Sequence, residues 1–211
     1  MTDVSEVPVH QSLHVIDVSD IYRTEEWWKA IVRYKFDDNT ESNETAVYLW
    51  HNDDGWARKN KYVIKTGEAW KTDKTVINQL FSGEIDTTPE ELIPVSDYYE
   101  VGAGMTIFQS DEWWKAIVKI VQKGSYETEE IMIYLWQQVD GDWRRRQKYT
   151  IKDEENWEEE MEAIEAILNT AGSNTEIEST SSDSRTTDGQ IDEFEQLNRE
   201  IDKHLSNARS E

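Results

Sequence analysis

Flat aromatic rings and cations recur together in this sequence at strand spacing. Trp27, Lys29 and Arg33 lie on one alternating stretch, and Trp113, Lys115 and Lys119 lie on another. A cationic run follows each: Arg58, Lys59 and Lys61 after the first, Arg144, Arg145, Arg146 and Lys148 after the second. Rings that stack on bases and cations that follow phosphates are what sequence-independent binding of a single nucleic-acid strand requires. A Trp-Lys-Ile-Lys alternation is equally compatible with a solvated sheet face whose lysine stems snorkel over apolar neighbours. The residues alone leave both open.

Other chemistry is poorly represented. His10 and His14 are four apart, but their segment has no helical pattern, and His51 and His204 have no identified partner. Gly102-Ala103-Gly104 lacks the rest of a dinucleotide fingerprint. The many carboxylates form no recognisable acid–base pair, and no nucleophile motif, P-loop or metal-ligand spacing is present. The expectation is therefore a protein without catalytic residues, metal or cofactor.

The elements that must position these residues come in duplicate. Glu26-Trp27-Trp28-Lys29-Ala30-Ile31-Val32 returns unchanged as residues 112–118, an offset of 86. Tyr48-Leu49-Trp50 returns as Tyr134-Leu135-Trp136, and Trp56, Arg58, Lys61, Tyr62, Ile64 and Trp70 return 87 residues on. The one-residue slip falls in the Asp/Gly-rich turns before Trp56 and Trp143. All ten Trp residues sit in the two copies. Such self-similarity defines an internal repeat.

Hydrophobic alternation predicts strands over 13–23, 26–36, 45–50 and 56–65, with Asp53-Asp54-Gly55 as a hairpin turn. In the second strand, Trp28, Ala30, Val32, Tyr34 and Phe36 form the expected core face, and Trp27, Lys29, Ile31, Arg33 and Lys35 the basic one. From Glu68 the period becomes helical, with Trp70, Ile77, Leu80 and Phe81 on one face and Gly83 at the end. The second copy predicts strands over 101–108, 113–121, 131–137 and up to 152. Asp153 then caps a helix striped by Trp157, Met161, Ile164 and Leu168. The predicted organisation is an α+β fold: repeat 1 at 13–83, linker 84–97, repeat 2 at 98–170, each β-β-β-β-α. A flexible linker at 171–189 and an amphipathic helix at 190–209 follow. Because each sheet and helix needs a second layer, the repeats are expected to pack together as an intramolecular pseudo-dimer.

The chain carries a net charge of −23 over 211 residues. Residues 153–211 hold 18 acidic and 4 basic residues, whereas 20–82 hold 11 and 10, and 104–152 hold 7 and 8. The acid therefore lies mainly outside the strand-rich segments, in keeping with high-salt adaptation and an archaeal or other salt-loving source. The absence of cysteine excludes disulfides and suits a reducing cytoplasm. No apolar run reaches membrane-span length, and the N-terminus has no signal-peptide character. Ile191, Phe194, Leu197, Ile201 and Leu205 recur at helical spacing. This last helix either folds back on the body or docks a protein partner.

The stretch Tyr134-Leu135-Trp136 … Gly141 … Arg144-Arg145-Arg146-Gln147-Lys148-Tyr149-Thr150-Ile151 … Trp157 resembles the single-stranded-DNA-binding domain of the transcriptional coactivator positive cofactor four, grouped with the plant Whirly proteins. The resemblance spans about 50–60 residues of each copy. It implies paired sheets presenting a groove to single-stranded or melted DNA, with RNA as a further ligand, in transcription or genome maintenance. With it go the expectations of a cytoplasmic, nucleoid-associated protein and of a last helix that contacts a protein of the transcription machinery. The rival expectation is an acidic protein-interaction scaffold. An acidic decoy for DNA-binding proteins fits less well, because the strand-rich segments are near neutral.

Overall fold

A computed structural model describes residues 2–36, 43–90, 92–122 and 128–172. Strands β1 (Leu13–Arg23), β2 (Trp27–Phe36), β3 (Glu44–Asn52) and β4 (Trp56–Ile64) precede helix α1 (Gly67–Ser82). Strands β5 (Tyr99–Gln109), β6 (Trp113–Gln122), β7 (Glu129–Val139) and β8 (Asp142–Ile151) precede α2 (Glu154–Gly172). Each set of strands forms an antiparallel meander, in the orders β1-β2-β3-β4 and β5-β6-β7-β8. The expected two-repeat α+β layout is present. No helix among the described residues is long and apolar enough to cross a membrane.

Local chemistry explains the punctuation. At the β7–β8 turn Asp140 and Gly141 both take positive φ, of 56° and 90°, the backbone of a tight two-residue hairpin. The Thr66 hydroxyl accepts the Ala69 N–H to cap α1, and Gly83 ends that helix in the left-handed region. Asp153 accepts the Asn156 N–H at 2.9 Å and so caps α2.

Matching bulges then bend the sheets. The pairing slips at Ile16 and Ile21 in β1 and, 86 residues on, at Gly102 and Ile107 in β5. Bulges increase bend and twist, and both sheets curl until side chains of their edge strands meet. The Arg23 guanidinium of β1 lies 4.1 Å from the Trp28 ring and 5.9 Å from that of Trp56 on β4. The Lys148 amine of β8 lies 5.5 Å from the Tyr99 ring of β5.

The concave face of each curl therefore has its own core. In repeat 1 it contains Trp28, Ala30, Val32, Tyr34, Tyr48 and Trp50; in repeat 2 it contains Trp114, Ala116, Val118, Ile120, Tyr134 and Trp136. Short segments preceding the first strands close these cores. Val7 is buried in the first, and the Trp50 indole N–H donates to the Pro8 carbonyl at 3.0 Å. Ile93 is buried in the second. Val7-Pro8-Val9 and Ile93-Pro94-Val95 are again 86 apart, and in each the N–H of the Val after the proline donates at 2.8 Å to the carbonyl of the residue before the proline. Residues 7–9 and 93–95 are thus equivalent straps, the second of them within the stretch expected to be a linker.

The convex faces meet in a single shared core. Ile31, Val47, Tyr62 and Ile64 of repeat 1 join Ile117, Ile133, Tyr149 and Ile151 of repeat 2, with Trp70, Ile77 and Leu80 of α1 and Trp157 and Ile164 of α2. β4 lies against β8; α1 packs on β5 and β6, and α2 on β1 and β2. Each helix therefore covers the other repeat's sheet. The Trp70 and Trp157 rings pack 5.7 Å apart, and the Trp157 indole N–H donates to Asn78 at 2.7 Å.

Candidate nucleic-acid interface

The expected basic face is an interior face. Lys29 is 6% exposed, Lys115 9% and Trp113 5%, and Arg33 is also buried. Sequence alternation separated the two faces of β2 and β6 correctly, but both are covered, one by the curl and its strap and the other by the opposite repeat. These four residues are corrected from surface ligand-binding candidates to interior residues. Their charges are balanced on the spot. Lys29 Nζ lies 2.5 Å from Glu160 Oε1 and donates to the Thr150 carbonyl at 3.0 Å. Lys115 Nζ donates to Asp73 Oδ2 at 2.8 Å and to the Tyr62 hydroxyl at 3.0 Å, with Asp73 Oδ1 at 2.7 Å in charge contact. Arg33 reaches Asp17 at 3.4 Å.

The two lysine sites are reciprocal. Lys29 belongs to repeat 1 and its acid to α2; Lys115 belongs to repeat 2 and its acid to α1. Each acid also accepts a tyrosine hydroxyl, Tyr62 on Asp73 and Tyr149 on Glu160. These tyrosines stack at 5.6 Å with a 10° interplanar angle. Burial first, and the adjacent carboxylate second, hold both phenols well above their ordinary range. Burial pulls Lys29 down, and Glu160 partly restores it. This arrangement joins the repeats and has no free valence for a strand.

The remaining candidates are at or near the surface. In β4 the register slips between Leu49/Asn60 and Trp50/Arg58, so Lys59 is the extra residue of a bulge. In β8 the matching slip makes Arg146 the extra residue. Arg58, Lys59, Arg144, Arg145 and Arg146 are all exposed. Arg144 lies 3.6 Å from Asp140, and Arg146 Nε donates to Gln137 at 2.9 Å. Among the described residues Arg58, Lys59 and Arg145 join no ion pair. Trp56 and Trp143, half-buried at the starts of these strands, pack edge-on against Trp28 and Trp114 at 5.7 and 5.6 Å. Each repeat thus presents a bulged strand with protruding cations beside a partly open indole.

Lys61 and Lys148 sit farther along the same strands. The Lys61 amine lies 4.7 Å from the Tyr34 ring and 5.4 Å from that of Tyr48, and burial pulls its pKa down to about 8. Lys148 lies over Tyr99 and Tyr134 and is lowered by burial and by Arg145. Both are cations on aromatic faces, half-buried. Lys119 is half-buried and 3.7 Å from Glu129. Trp27, 36% exposed, packs on the His51 ring at 4.3 Å. It and its counterpart Trp113 therefore differ in environment.

Sequence reasoning also missed a cleft of about 560 Å³ between the repeats, lined by residues of β1, β2, β3 and β4 and of β5, β7, β8 and α2. Lys29 and Glu160 lie at its base; Tyr22, Tyr99, Lys148 and Lys152 contribute to its walls. No group of three or more His, Asp or Glu side chains suited to a metal ion occurs among the described residues. The residues Ile191, Phe194, Leu197, Ile201 and Leu205 lie outside the described part of the chain.

Comparison with known proteins finds no matching family model, no matching curated protein and no matching solved structure.

Proposed function

We propose that this protein binds single-stranded nucleic acid, melted or single-stranded DNA first, and acts without catalysis in transcription or genome maintenance, as the resemblance to positive cofactor four implies. One observation carries the reading. On a chain of net charge −23, two equivalent bulged strands display exposed cations, Arg58 with Lys59 and Arg144 with Arg145 and Arg146, each beside a half-buried indole. A strand meets such a surface through phosphate contacts, with ring stacking as a sequence-tolerant supplement. Lys29, Lys115 and Trp113 have no part in it.

The test is fluorescence anisotropy of a labelled strand of about 20 nucleotides against the matching duplex over a salt series. Replacing Arg144, Arg145 and Arg146 by Ala removes up to three phosphate contacts, so the slope of log affinity against log salt falls by about 2, at roughly 0.7 per contact. Absence of binding at low salt, or a slope unmoved by the triple replacement, refutes the reading.

One observation favours a scaffold instead: Leu92, Tyr98, Met105 and Phe108, on β5 or just before it, expose apolar surface. If strand binding fails, this edge is where a protein partner is to be sought.

A further inference from the structure

The two seams between the repeats are related by the duplication but are not filled alike. Offsets of 86 and 87 allow them to be compared residue by residue. At one seam Gln147 stands where Asn60 stands at the other. Its amide reaches across the seam, where Oε1 accepts the Val63 N–H at 2.8 Å. Glu44 stands in the place of Glu130, and there the Tyr34 hydroxyl donates to it at 2.6 Å while Lys65 approaches to 3.5 Å. At the other seam lies the half-open cleft of about 560 Å³, a volume typical of small-molecule sites. Asn60 is one methylene shorter than Gln147. Among the described residues the Asn60 side chain makes no hydrogen bond, and neither Glu130 nor Lys152 has an ion-pair partner. The duplication thus pairs Glu44 with Lys65 at one seam, whereas at the other Glu130 acts on Lys148 and Lys29 only through space and Lys152 has no acid within ion-pair distance among the described residues.

We infer that this cleft is a nucleotide site, taking a base that carries an exocyclic amino group. Three lysines line it against two glutamates, so a strongly acidic chain has a locally cationic cleft. Lys148, held over the Tyr99 ring, and Lys152 supply the cations that a phosphate needs. Tyr22 and Tyr99 supply aromatic surface for the base. Asn60 and Glu130 supply the polar edge. A carboxylate accepts from an amino group such as that of cytosine, whereas uracil presents it a carbonyl. The assignment rests on the proposed strand-binding function only where the nucleotide belongs to a strand; a free mononucleotide has the same chemistry.

The experiment is calorimetric titration of the full chain with CMP and with UMP, for the natural protein and two variants. CMP is expected to bind with one-to-one stoichiometry and about tenfold more tightly than UMP. Asn60→Gln installs the side-chain length of the filled seam, and its longer amide is expected to weaken CMP at least about tenfold while leaving the melting temperature in place. Lys152→Gln is expected to weaken CMP and UMP alike by removing a phosphate partner. No saturable CMP binding at millimolar concentration, or equal affinity in all three proteins, overturns the inference. Displacement of a labelled strand by CMP assigns the site to a strand nucleotide, and CMP binding without displacement assigns it to free nucleotide. CMP binding that persists where strand binding is absent refutes the strand reading alone; the converse refutes the cleft alone.

Discussion

Lys115→Met tests whether the repeats are joined through buried charge. The substitution keeps most of the apolar stem and removes the amine. Asp73, fully buried, then retains only the Tyr62 hydroxyl as a polar partner. The side chains of the pair are 11% and 1% exposed, so solvent screening relieves little of the loss. Removing one member of such a pair costs about 3–5 kcal/mol, because a buried carboxylate is left uncompensated. For a cooperative unit of this size each kcal/mol lowers the melting temperature by about 2–4 °C, giving a drop of roughly 6–20 °C. The double replacement Lys115→Met with Asp73→Leu removes both charges and is expected to recover most of that loss, since apolar substitutes often match a buried ion pair. Lys71→Met, which breaks the exposed pair with Glu68, serves as a control with no measurable effect. Urea unfolding followed by tryptophan fluorescence provides the free energies, and an unchanged m-value shows that the unfolding reaction is the same. A loss below about 1 kcal/mol for Lys115→Met, or a double variant no more stable than the single, would refute the buried-pair account.

Two further predictions concern burial that the sequence did not advertise. Lys61 is held at about 8 in the fold against an ordinary 10.5, so between those values the unfolded chain binds more protons and stability rises with pH. The cost of holding the charged amine is complete below about pH 8 and fades towards 10.5. Lys61→Met flattens that rise, without abolishing it because Lys29, Lys65 and Lys148 shift in the same direction; parallel slopes for the two proteins over pH 7–10 would contradict this. In the strap, Ile93→Ala is expected to cost about 2–5 kcal/mol and the neighbouring Leu92→Ala less than about 0.5, because one side chain is buried and the other is 94% exposed. Equal losses in chemical denaturation would mean that residues 93–95 are a linker after all.

The element order was legible because duplication and alternation report on it directly. The strand over 13–23 has the bounds expected from its β-branched residues, and Asp153 caps the second helix as predicted. Which faces are buried was less accessible, because alternation distinguishes two faces without saying whether both are covered. A usable signal was nevertheless present. Asp73 interrupts the apolar stripe Trp70–Ile77–Leu80, and Glu160 interrupts Trp157–Ile164 at the same place 87 residues later. An acid in the buried stripe of both helices demands a buried cation, and Lys29 and Lys115 sit on the strand faces that such helices cover. The straps had a similar signal in Val7-Pro8-Val9 and Ile93-Pro94-Val95, too short to stand out beside the tryptophan motif. The bulges and the cleft had none, because they follow from register and from the sum of side-chain lengths across a seam.

The duplication also offers an internal comparison of what packing requires with what it leaves free. Positions that hold the two copies together are chemically alike: lysine against acid, tyrosine on that acid, Trp70 against Trp157. Other positions have diverged, some of them at the seams themselves. The Trp28 indole donates to Asp20 at 2.7 Å, while Trp114 donates to Thr106 at 3.1 Å. Trp27 lies open on His51 while Trp113 is buried. At the seams, Asn60 opposes a cleft and Gln147 closes a gap. A folding constraint acting alike on both copies accounts for the first group and does not account for the second. The cationic bulges are the informative case, since they are repeated without being needed for packing: Arg58 and Arg145 face solvent in no ion pair, and a fold needs neither. Repetition at the core is thus explained by stability, whereas repetition of exposed cations on an acidic protein is not, and it is the feature on which the proposed binding of an anionic strand rests.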